Sequence, residues 1–387
     1  MKKEVYFDHA ATTYLDPRVL EVMLPYFGEK YGNASSSHTK GKEALVAIDD
    51  AKEIFAKILN CRASEIIFTG SATEANNLAI FGIAKATPQK NHIIISSIEH
   101  SSIYEPCKEL EQNGYKITKL PVDKNGIVSP EDLEKEISPQ TALVSIIHGH
   151  HEIGTIQPIS ELGKICKKHN VPFHTDACQT ACSHTLDTKK LNIDLMTING
   201  SKIYGPKGIG ALYVNKSIQI KPLILGGQQE EGLRAGTENT ANIVGFAKAL
   251  ELAQKEKESE NKRLTKLRDK LIRQLLKNIP GSYLNGHPEK RLPNNINITI
   301  PGINTQELIL YLDEAGIFVS SGASCEIGTA KPSPALIAIK IPKKDLFSSI
   351  RITLGKRTTE EEIDYAIEKF IFIFKHLFAQ KGKTHFR

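Results

Sequence analysis

The segment around Lys202 has the residue types that a reactive amine needs. Lys202 follows the apolar segment Leu195–Ile198 and is followed by Gly205-Pro206, which is typical of a tight turn. We expect this turn at the carboxyl end of a buried strand, where loss of water lowers the pKa of a lysine amine and allows it to form a Schiff base. Considered alone, this pattern favours an exposed loop lysine over a reactive one.

Three other positions supply the groups that would accompany such a lysine. Asp176 follows another apolar strand, and an acid there could pair with a pyridinium nitrogen. Thr73 lies in Thr69–Glu74, a turn of small residues that opens a helix and offers hydroxyl and N–H groups to a phosphate. His100 follows a third strand and could stack on a ring or move protons. Together these groups meet the demands of pyridoxal phosphate (PLP).

Alternating strands and helices would position these residues. Strands are predicted at Glu65–Phe68, His92–Ser96, Ala142–Ile147, Pro172–His174 and Leu195–Ile198, and helices at Gly41–Leu59 and Ile159–His169. Apolar strands that alternate with helices predict an α/β fold whose mainly parallel sheet is covered on both faces. Ligands of such sheets bind at the carboxyl ends of the strands.

The pattern changes in the last third of the chain. Ala247 to Asn278 is a long, heavily charged helical stretch, which we interpret as a solvated helix joining two domains. Beyond it, strands are predicted at Asn295–Ile300, Ile317–Ser320 and Ser348–Thr353, and helices at Gln306–Glu314 and Thr359–Phe378. This smaller set predicts an α+β domain. We place the large domain at residues 13–255 and the small one at 1–12 and 256–387, with a cysteine loop at about 320–332.

Composition excludes several other classes of protein. Of 387 residues, 40% are apolar and 24% charged, which is an ordinary globular balance. The net charge of +6 is too small and too dispersed for a nucleic-acid-binding surface. No apolar run approaches the roughly 20 residues of a bilayer span. Six cysteines are too few for a disulfide scaffold and suit reduced cytosol, so we expect a cytoplasmic protein without membrane or nucleic-acid partners.

The motifs, taken in order, resemble the PLP-dependent cysteine desulfurases of the NifS/IscS type in the class V aminotransferase family. The resemblance covers nearly the whole chain and rests on Tyr6–Thr13, Tyr31–His38, Thr73–Asn77, Glu99–His100, His174–Asp176, Ser201–Gly208, Gly232–Asn239, Ser321–Cys325 and Ser349–Gly355. It implies the fold type I of PLP-dependent transferases, with a mainly parallel sheet of the seven-stranded type and a smaller α+β domain.

The resemblance also implies a role for each matching residue. Lys202 would bind PLP covalently, Asp176 would pair with its ring nitrogen, and His100 would stack on the ring and serve as an acid or base. Arg351 and Asn33 would bind the substrate, and Cys325 would be the nucleophile. The other implied cofactor-binding residues are Ala72, Thr73, Gln179, His151, Asn199, Ser201 and, from the neighbouring subunit, Thr237. We expect no metal.

The implied reaction converts L-cysteine to L-alanine and leaves the sulfur on Cys325 as a persulfide. That sulfur would serve iron–sulfur cluster assembly or the thiolation of tRNA or cofactors. The implied partners are a second copy of the chain, as a homodimer, and a sulfur-accepting protein whose identity the sequence does not reveal.

Several positions depart from the usual pattern of the family. His150 and His151 stand where the family usually has two asparagines, and Ser201 stands where histidine is common. Asn199 replaces a serine, and Glu231 and Glu326 place acids beside the expected dimer interface and the nucleophile. Two alternatives stay open. One is a PLP-dependent aminotransferase or β-lyase in which Cys325 is idle, and the other is a degenerate homologue that acts as a binding or scaffold protein.

Overall fold

The computed structural model describes residues 3–321 and 331–384. The strands are β1 Val5–Tyr6, β2 Ile66–Thr69, β3 His92–Ser96, β4 Lys116–Leu120, β5 Thr141–Ser145, β6 Phe173–Asp176, β7 Leu195–Asn199, β8 Gly210–Val214, β9 Tyr283–Leu284, β10 Asn295–Thr299, β11 Ile317–Phe318 and β12 Ser349–Thr353. The helices are α1 Pro17–Met23, α2 Thr39–Leu59, α3 Ala72–Ala86, α4 Ser101–Gln112, α5 Pro130–Glu136, α6 Ile159–Lys168, α7 Thr188–Leu191, α8 Thr240–Asn278, α9 Thr305–Glu314, α10 Pro334–Ala338 and α11 Glu360–Thr384.

A seven-stranded sheet in the order β2-β8-β7-β6-β5-β3-β4 forms the centre of the molecule. The pairings from β4 through β3, β5 and β6 to β7 are parallel, whereas β8 is antiparallel to both β7 and β2. Ile94 packs into the apolar core on one face, and Ile93 and Ile95 pack into the core on the other. Because both faces are covered, the inner strands are buried along almost their whole length, including the polar residues of β6. The predicted mainly parallel α/β sheet is confirmed.

A second core lies around the three-stranded antiparallel sheet β12-β10-β9. It contains Val5 and Phe7 from the amino-terminal segment together with Leu271 of α8 and Phe370 of α11. Strand β1 reaches this region by pairing in parallel with β11. The amino-terminal residues therefore pack with the carboxyl-terminal third of the chain.

Helix α8 differs from the solvated connector that its charge suggested. It begins at Thr240, before the charged stretch, and Leu264, Leu267, Leu271 and Leu275 are buried along its carboxyl-terminal half. Residues spaced by three and four lie on one side of a helix, so a single apolar stripe enters the second core, whereas the charged residues apart from the buried Arg268 are more exposed. The interpretation as a fully solvated helix is therefore wrong for that face.

A capping box begins the last helix, α11. Thr359 Oγ1 accepts from the Glu362 backbone N–H at 3.2 Å, and the Glu362 carboxylate accepts from the Thr359 N–H at 3.0 Å. Among the described residues, no helix has the length and apolar character needed to cross a membrane. Most of the predicted cysteine loop, including Cys325 and Glu326, lies outside the described residues.

Candidate active site

The predicted lysine and aspartate meet at the carboxyl edge of the central sheet. Asp176 is the last residue of β6, and Lys202 ends the 3₁₀ turn Gly200–Lys202 that follows the adjacent parallel strand β7. Burial lowers the pKa of the Lys202 amine, Arg351 lowers it further, and Asp176 is among the groups that oppose the shift. Depression of this pKa favours the neutral, nucleophilic form of the amine.

The turn that carries Lys202 is fixed by its own side chains and by the amino-terminal segment. The Asn199 carboxamide oxygen accepts from the backbone N–H and the hydroxyl of Ser201 at 3.0 and 3.1 Å. The Ser201 carbonyl accepts from the N–H and hydroxyl of Thr13 at 2.9 and 3.0 Å. Lys202 Nζ donates to the Ala11 carbonyl. In this structure Asn199 and Ser201 thus shape the lysine turn, and their predicted cofactor contacts stay predictions.

Asp176 is buried and both of its carboxylate oxygens are engaged. Oδ1 accepts from the Cys178 N–H at 3.0 Å, and Oδ2 accepts from Asn76 Nδ2 at 2.8 Å. A carboxylate oxygen has two lone pairs, so Asp176 retains acceptor capacity for a protonated ring nitrogen. Nearby, Gln179 Nε2 donates to the Ala10 carbonyl at 3.0 Å.

Three histidine rings pack together near Lys202. The His151 ring lies 5.2 Å from His100 in an edge-on arrangement and 4.6 Å from His150. Burial, followed by the neighbouring His150 and His100, holds the pKa of His151 well below its ordinary value, so the ring is neutral. Its Nδ1 is buried with no hydrogen-bond partner among the described residues. A buried nitrogen without a partner fits a site that receives a polar group from a ligand.

The histidine-rich segment does not form a metal site in the part of the chain that the structure describes. His150 Nδ1 accepts from the N–H groups of Glu152 and Ile153 at 3.1 and 3.2 Å. His148 Nδ1 lies 3.1 Å from the Thr180 hydroxyl. No group of three or more potential metal ligands converges among these residues.

Helix α3 begins in the turn where the sequence predicts a phosphate site, and the phosphate role stays a prediction. Ser71 caps the helix by accepting from the Glu74 N–H at 3.1 Å, and the first helical N–H groups, at Ala72 and Thr73, have no partner within the helix. Gly210 of β8 packs against this turn, because a Cβ atom there would lie 2.5 Å from the Ser71 carbonyl carbon. Thr73 itself is exposed.

Arg351 reaches the site from β12 and is buried. Its Nη2 donates to Asp8 Oδ1 at 2.7 Å, its Nη1 donates to the His151 carbonyl at 3.4 Å, and its Nε is buried without a partner in the described chain. Asn33 and Thr237 are exposed in loops, and no hydrogen bond among the described residues joins either to the Lys202 pocket. Their predicted roles stay predictions.

Sequence reasoning missed three residues that organise the site. Asn76 and Ser102 connect Asp176 to His100, and Asp8 neutralises Arg351. Asn76 and Asp8 lie inside segments that carried the resemblance, so their position was marked, but their partners are distant in sequence.

These groups fit PLP. Beside one edge of the sheet lie an amine of lowered pKa, a buried carboxylate, a helix amino terminus and an imidazole whose buried Nδ1 has no hydrogen-bond partner among the described residues. They define an α/β enzyme of the PLP-dependent transferase fold. Residues 5–366 match the family model described as aminotransferase class-V. The chain belongs to this PLP-dependent family and groups with its cysteine desulfurases.

Comparison with individual proteins places the chain more finely. It is 48% identical to the cysteine desulfurase IscS of Dictyoglomus turgidum over 369 residues, 95% of this chain and 94% of the relative. A solved NifS-like protein superposes with a TM-score of 0.91 at 39% identity, covering 97% of this chain and all of the other. SspA, solved in complex with cysteine, superposes with a TM-score of 0.81 at 36% identity and covers 93% of this chain and 100% of SspA.

Proposed function

We propose that this protein is a PLP-dependent cysteine desulfurase that converts L-cysteine to L-alanine and transfers the sulfur to Cys325 as a persulfide. The observation that carries the proposal is that Asp176 and Arg351 lie close enough to the Lys202 amine at the sheet edge to change its pKa. An amine, a ring-pairing acid and a guanidinium for a carboxylate are what an amino-acid substrate of a PLP enzyme requires.

Each residue then has a task that its surroundings support. PLP, when bound, withdraws electrons from the α-carbon of the substrate. Lys202 would hold the cofactor through its amine, and Asp176 would keep the ring nitrogen protonated. The α3 amino terminus would bind the phosphate, and His151 Nδ1 would meet the ring hydroxyl. Arg351 would hold the substrate carboxylate, because a planar guanidinium suits a planar anion.

Cys325 is the best candidate for the sulfur acceptor among six cysteines. The other five are free thiols, and burial raises the pKa of every one of them, so they stay protonated at neutral pH. Only a thiolate attacks sulfur efficiently. The Cys325 thiolate would form an S–S bond to the substrate sulfur as the C–S bond breaks, and the bond's electron pair would stay on the carbon that is protonated to give alanine.

We also propose the wider context of this reaction. The second core contains Val5 and Phe7 together with residues of the last third of the chain, which supports the division into domains at 13–255 and at 1–12 with 256–387. The exposure of Thr237 is compatible with a homodimer in which it reaches the partner's cofactor. The sulfur would pass to a sulfur-accepting protein. It would serve iron–sulfur cluster assembly or thiolation, and the protein would act in the cytoplasm.

The test is to incubate the purified protein with L-cysteine and a reductant, with and without added PLP, and to quantify alanine and sulfide. Cys325→Ser is compared with Cys61→Ser, a matched loss of a partly exposed thiol. The proposal is supported if wild type and Cys61→Ser each release alanine and sulfide in equal amounts and Cys325→Ser releases neither.

Two other outcomes would overturn it. Sulfide release that persists in Cys325→Ser would favour a β-lyase, in which the cysteine is idle. An inert wild type, even with PLP supplied, would favour the degenerate binding protein. Lys202→Ala provides the cofactor control, because loss of the bound visible absorbance would show that the lysine holds PLP.

A further inference from the structure

The His100 ring is attached to the protein through only one of its two nitrogens in the part of the chain that the structure describes. His100 precedes α4, and its Nδ1 accepts from the Ser102 backbone N–H at 3.1 Å. The Ser102 hydroxyl oxygen lies 2.8 Å from the same nitrogen. A backbone N–H can only donate, so Nδ1 must carry no proton.

The direction of the serine hydroxyl follows from its other neighbour. Asn76 Nδ2 lies 2.8 Å from Asp176 Oδ2 and 2.8 Å from Ser102 Oγ. Because a carboxylate accepts and does not donate, the Asn76 amide must point its NH₂ group toward Asp176, which excludes the flipped orientation. The second N–H of Asn76 then donates to Ser102 Oγ, and the hydroxyl proton of Ser102 is left to donate to His100.

We propose that Ser102 and Asn76 are positioning residues that hold His100 as the neutral tautomer with its proton on Nε2. Asp176 orients Asn76, Asn76 orients the Ser102 hydroxyl, and that hydroxyl together with the Ser102 N–H occupies His100 Nδ1. Asn76 is fully buried and Ser102 is 7% exposed, so water does not compete for these bonds. Asp176 thereby acts on the histidine as well as on the cofactor ring.

The consequence for catalysis rests on the proposed function. With Nδ1 occupied by donors, His100 presents a neutral Nε2–H group to the substrate, which can donate a hydrogen bond there and cannot take up a proton at Nε2. The imidazolium is disfavoured, because a proton on Nδ1 would face two donors. In the resting site His100 is thus a neutral hydrogen-bond donor through Nε2.

The charged and titratable groups around His100 agree with this state. Burial is the main factor that lowers the pKa of His100, Lys202 lowers it further, and Asp176 on β6 opposes the shift. His151 and His150 face it from the loop after β5, and both are held neutral by burial. The donors at Nδ1 act in the same direction as burial, since they stabilise the neutral ring.

The experiment uses the PLP-loaded enzyme and the variant Ser102→Ala. Loss of the hydroxyl removes one of the two donors at Nδ1, so the pKa of His100 should rise, and the acidic limb of the kcat/KM profile for L-cysteine should move up by about one pH unit. Ser102→Thr keeps the hydroxyl and should restore the wild-type limb. Ser101→Ala removes the neighbouring exposed hydroxyl and should leave the profile unchanged. An unmoved limb in Ser102→Ala, or an equal shift in Ser101→Ala, would overturn the proposal.

A second readout does not depend on turnover. Nitrogen-15 NMR of histidine-labelled enzyme, with the His100 signals assigned by their loss in His100→Gln, reports which ring nitrogen is protonated. A protonated Nε2 with an unprotonated Nδ1 in the wild type supports the proposal, and the opposite pattern overturns it. If no variant forms alanine while the NMR pattern is as expected, the proposed reaction fails and the tautomer assignment stands.

Discussion

Asp8 forms an ion pair with the Arg351 guanidinium, the group that we assign to binding of the substrate carboxylate. Arg351 is only 6% exposed, and the 2.7 Å contact with Asp8 Oδ1 satisfies its charge in the free enzyme. A substrate carboxylate must displace or share this contact and also meets the negative charge of Asp8. The variant Asp8→Asn keeps the shape and an acceptor oxygen but removes the competing charge.

The expected effect follows from the kind of bond that is lost. A hydrogen bond to a charged partner contributes about 1.5–3 kcal/mol and a neutral one about 0.5–1.5 kcal/mol, a difference of about 1–1.5 kcal/mol. Because about 1.4 kcal/mol corresponds to tenfold in affinity, Asp8→Asn should lower the KM for L-cysteine about five- to twelvefold. The inhibition constant of L-alanine should fall by the same factor, since it shares the carboxylate.

The assay compares substrates with and without the carboxylate. Cysteamine has the amine and thiol of cysteine but no carboxylate, so its KM should not change in Asp8→Asn. Glu4→Gln removes one charge from the same amino-terminal segment and should leave both KM values unchanged. An unchanged or higher KM for L-cysteine, or an equal decrease for cysteamine, would refute the competition between Asp8 and the substrate.

Three further predictions concern the framework around the site. Gly210→Ala places a Cβ atom 2.5 Å from the Ser71 carbonyl carbon, which should displace the turn before α3 that we assign to the phosphate. PLP should therefore dissociate faster, as measured by spectroscopic exchange. Gly208→Ala has open space at its Cβ position and is the control for backbone strain alone. Lys52→Met removes the cation that lies 3.1 Å from the buried Glu230 carboxylate, which keeps only the hydrogen bond from the Phe68 N–H among its described partners. This variant should lower the free energy of unfolding in urea by about 3–5 kcal/mol, and adding Glu230→Gln should restore part of that loss. The free energy of unfolding should also decrease as the pH falls from 6.5 toward 4. Five histidines have pKa values of about 3 or 4 in the folded protein, so in this pH range they take up protons only when the protein unfolds. Each of them should lower the free energy of unfolding by about 1.4 kcal/mol per pH unit. These histidines are His9, His148, His150, His174 and His184. Burial raises the pKa of Glu99 to about 8 and that of Glu152 to about 7, so above pH 4.5 these two groups favour the folded state as the pH falls and oppose the effect of the histidines. Equal unfolding midpoints at pH 7 and pH 5 would contradict the prediction.

Much of the fold was predictable because its signals are local. The strand that ends at Asp176 and the strand before Lys202 are short runs bounded by turns, and the parallel arrangement follows from the intervening helices. The antiparallel insertion of β8 between β7 and β2 was not predictable, because strand order depends on packing across the sheet. The buried stripe of α8 was overlooked because its charges dominate the composition of that stretch, while only the spacing of its leucines indicates a buried face.

By itself the sequence determined the chemistry that this protein can perform, because residue type and chain order place an amine and an acid after parallel strands whose carboxyl ends share one edge. Only the tertiary structure decided how those groups are controlled. Asn76 joins Ser102 across 26 residues and Asp176 across 100, and Arg351 joins Asp8 across 343. A hydrogen bond requires atoms within about 3 Å. Which distant residues come that close depends on how the sheet, the helices and the second core pack together.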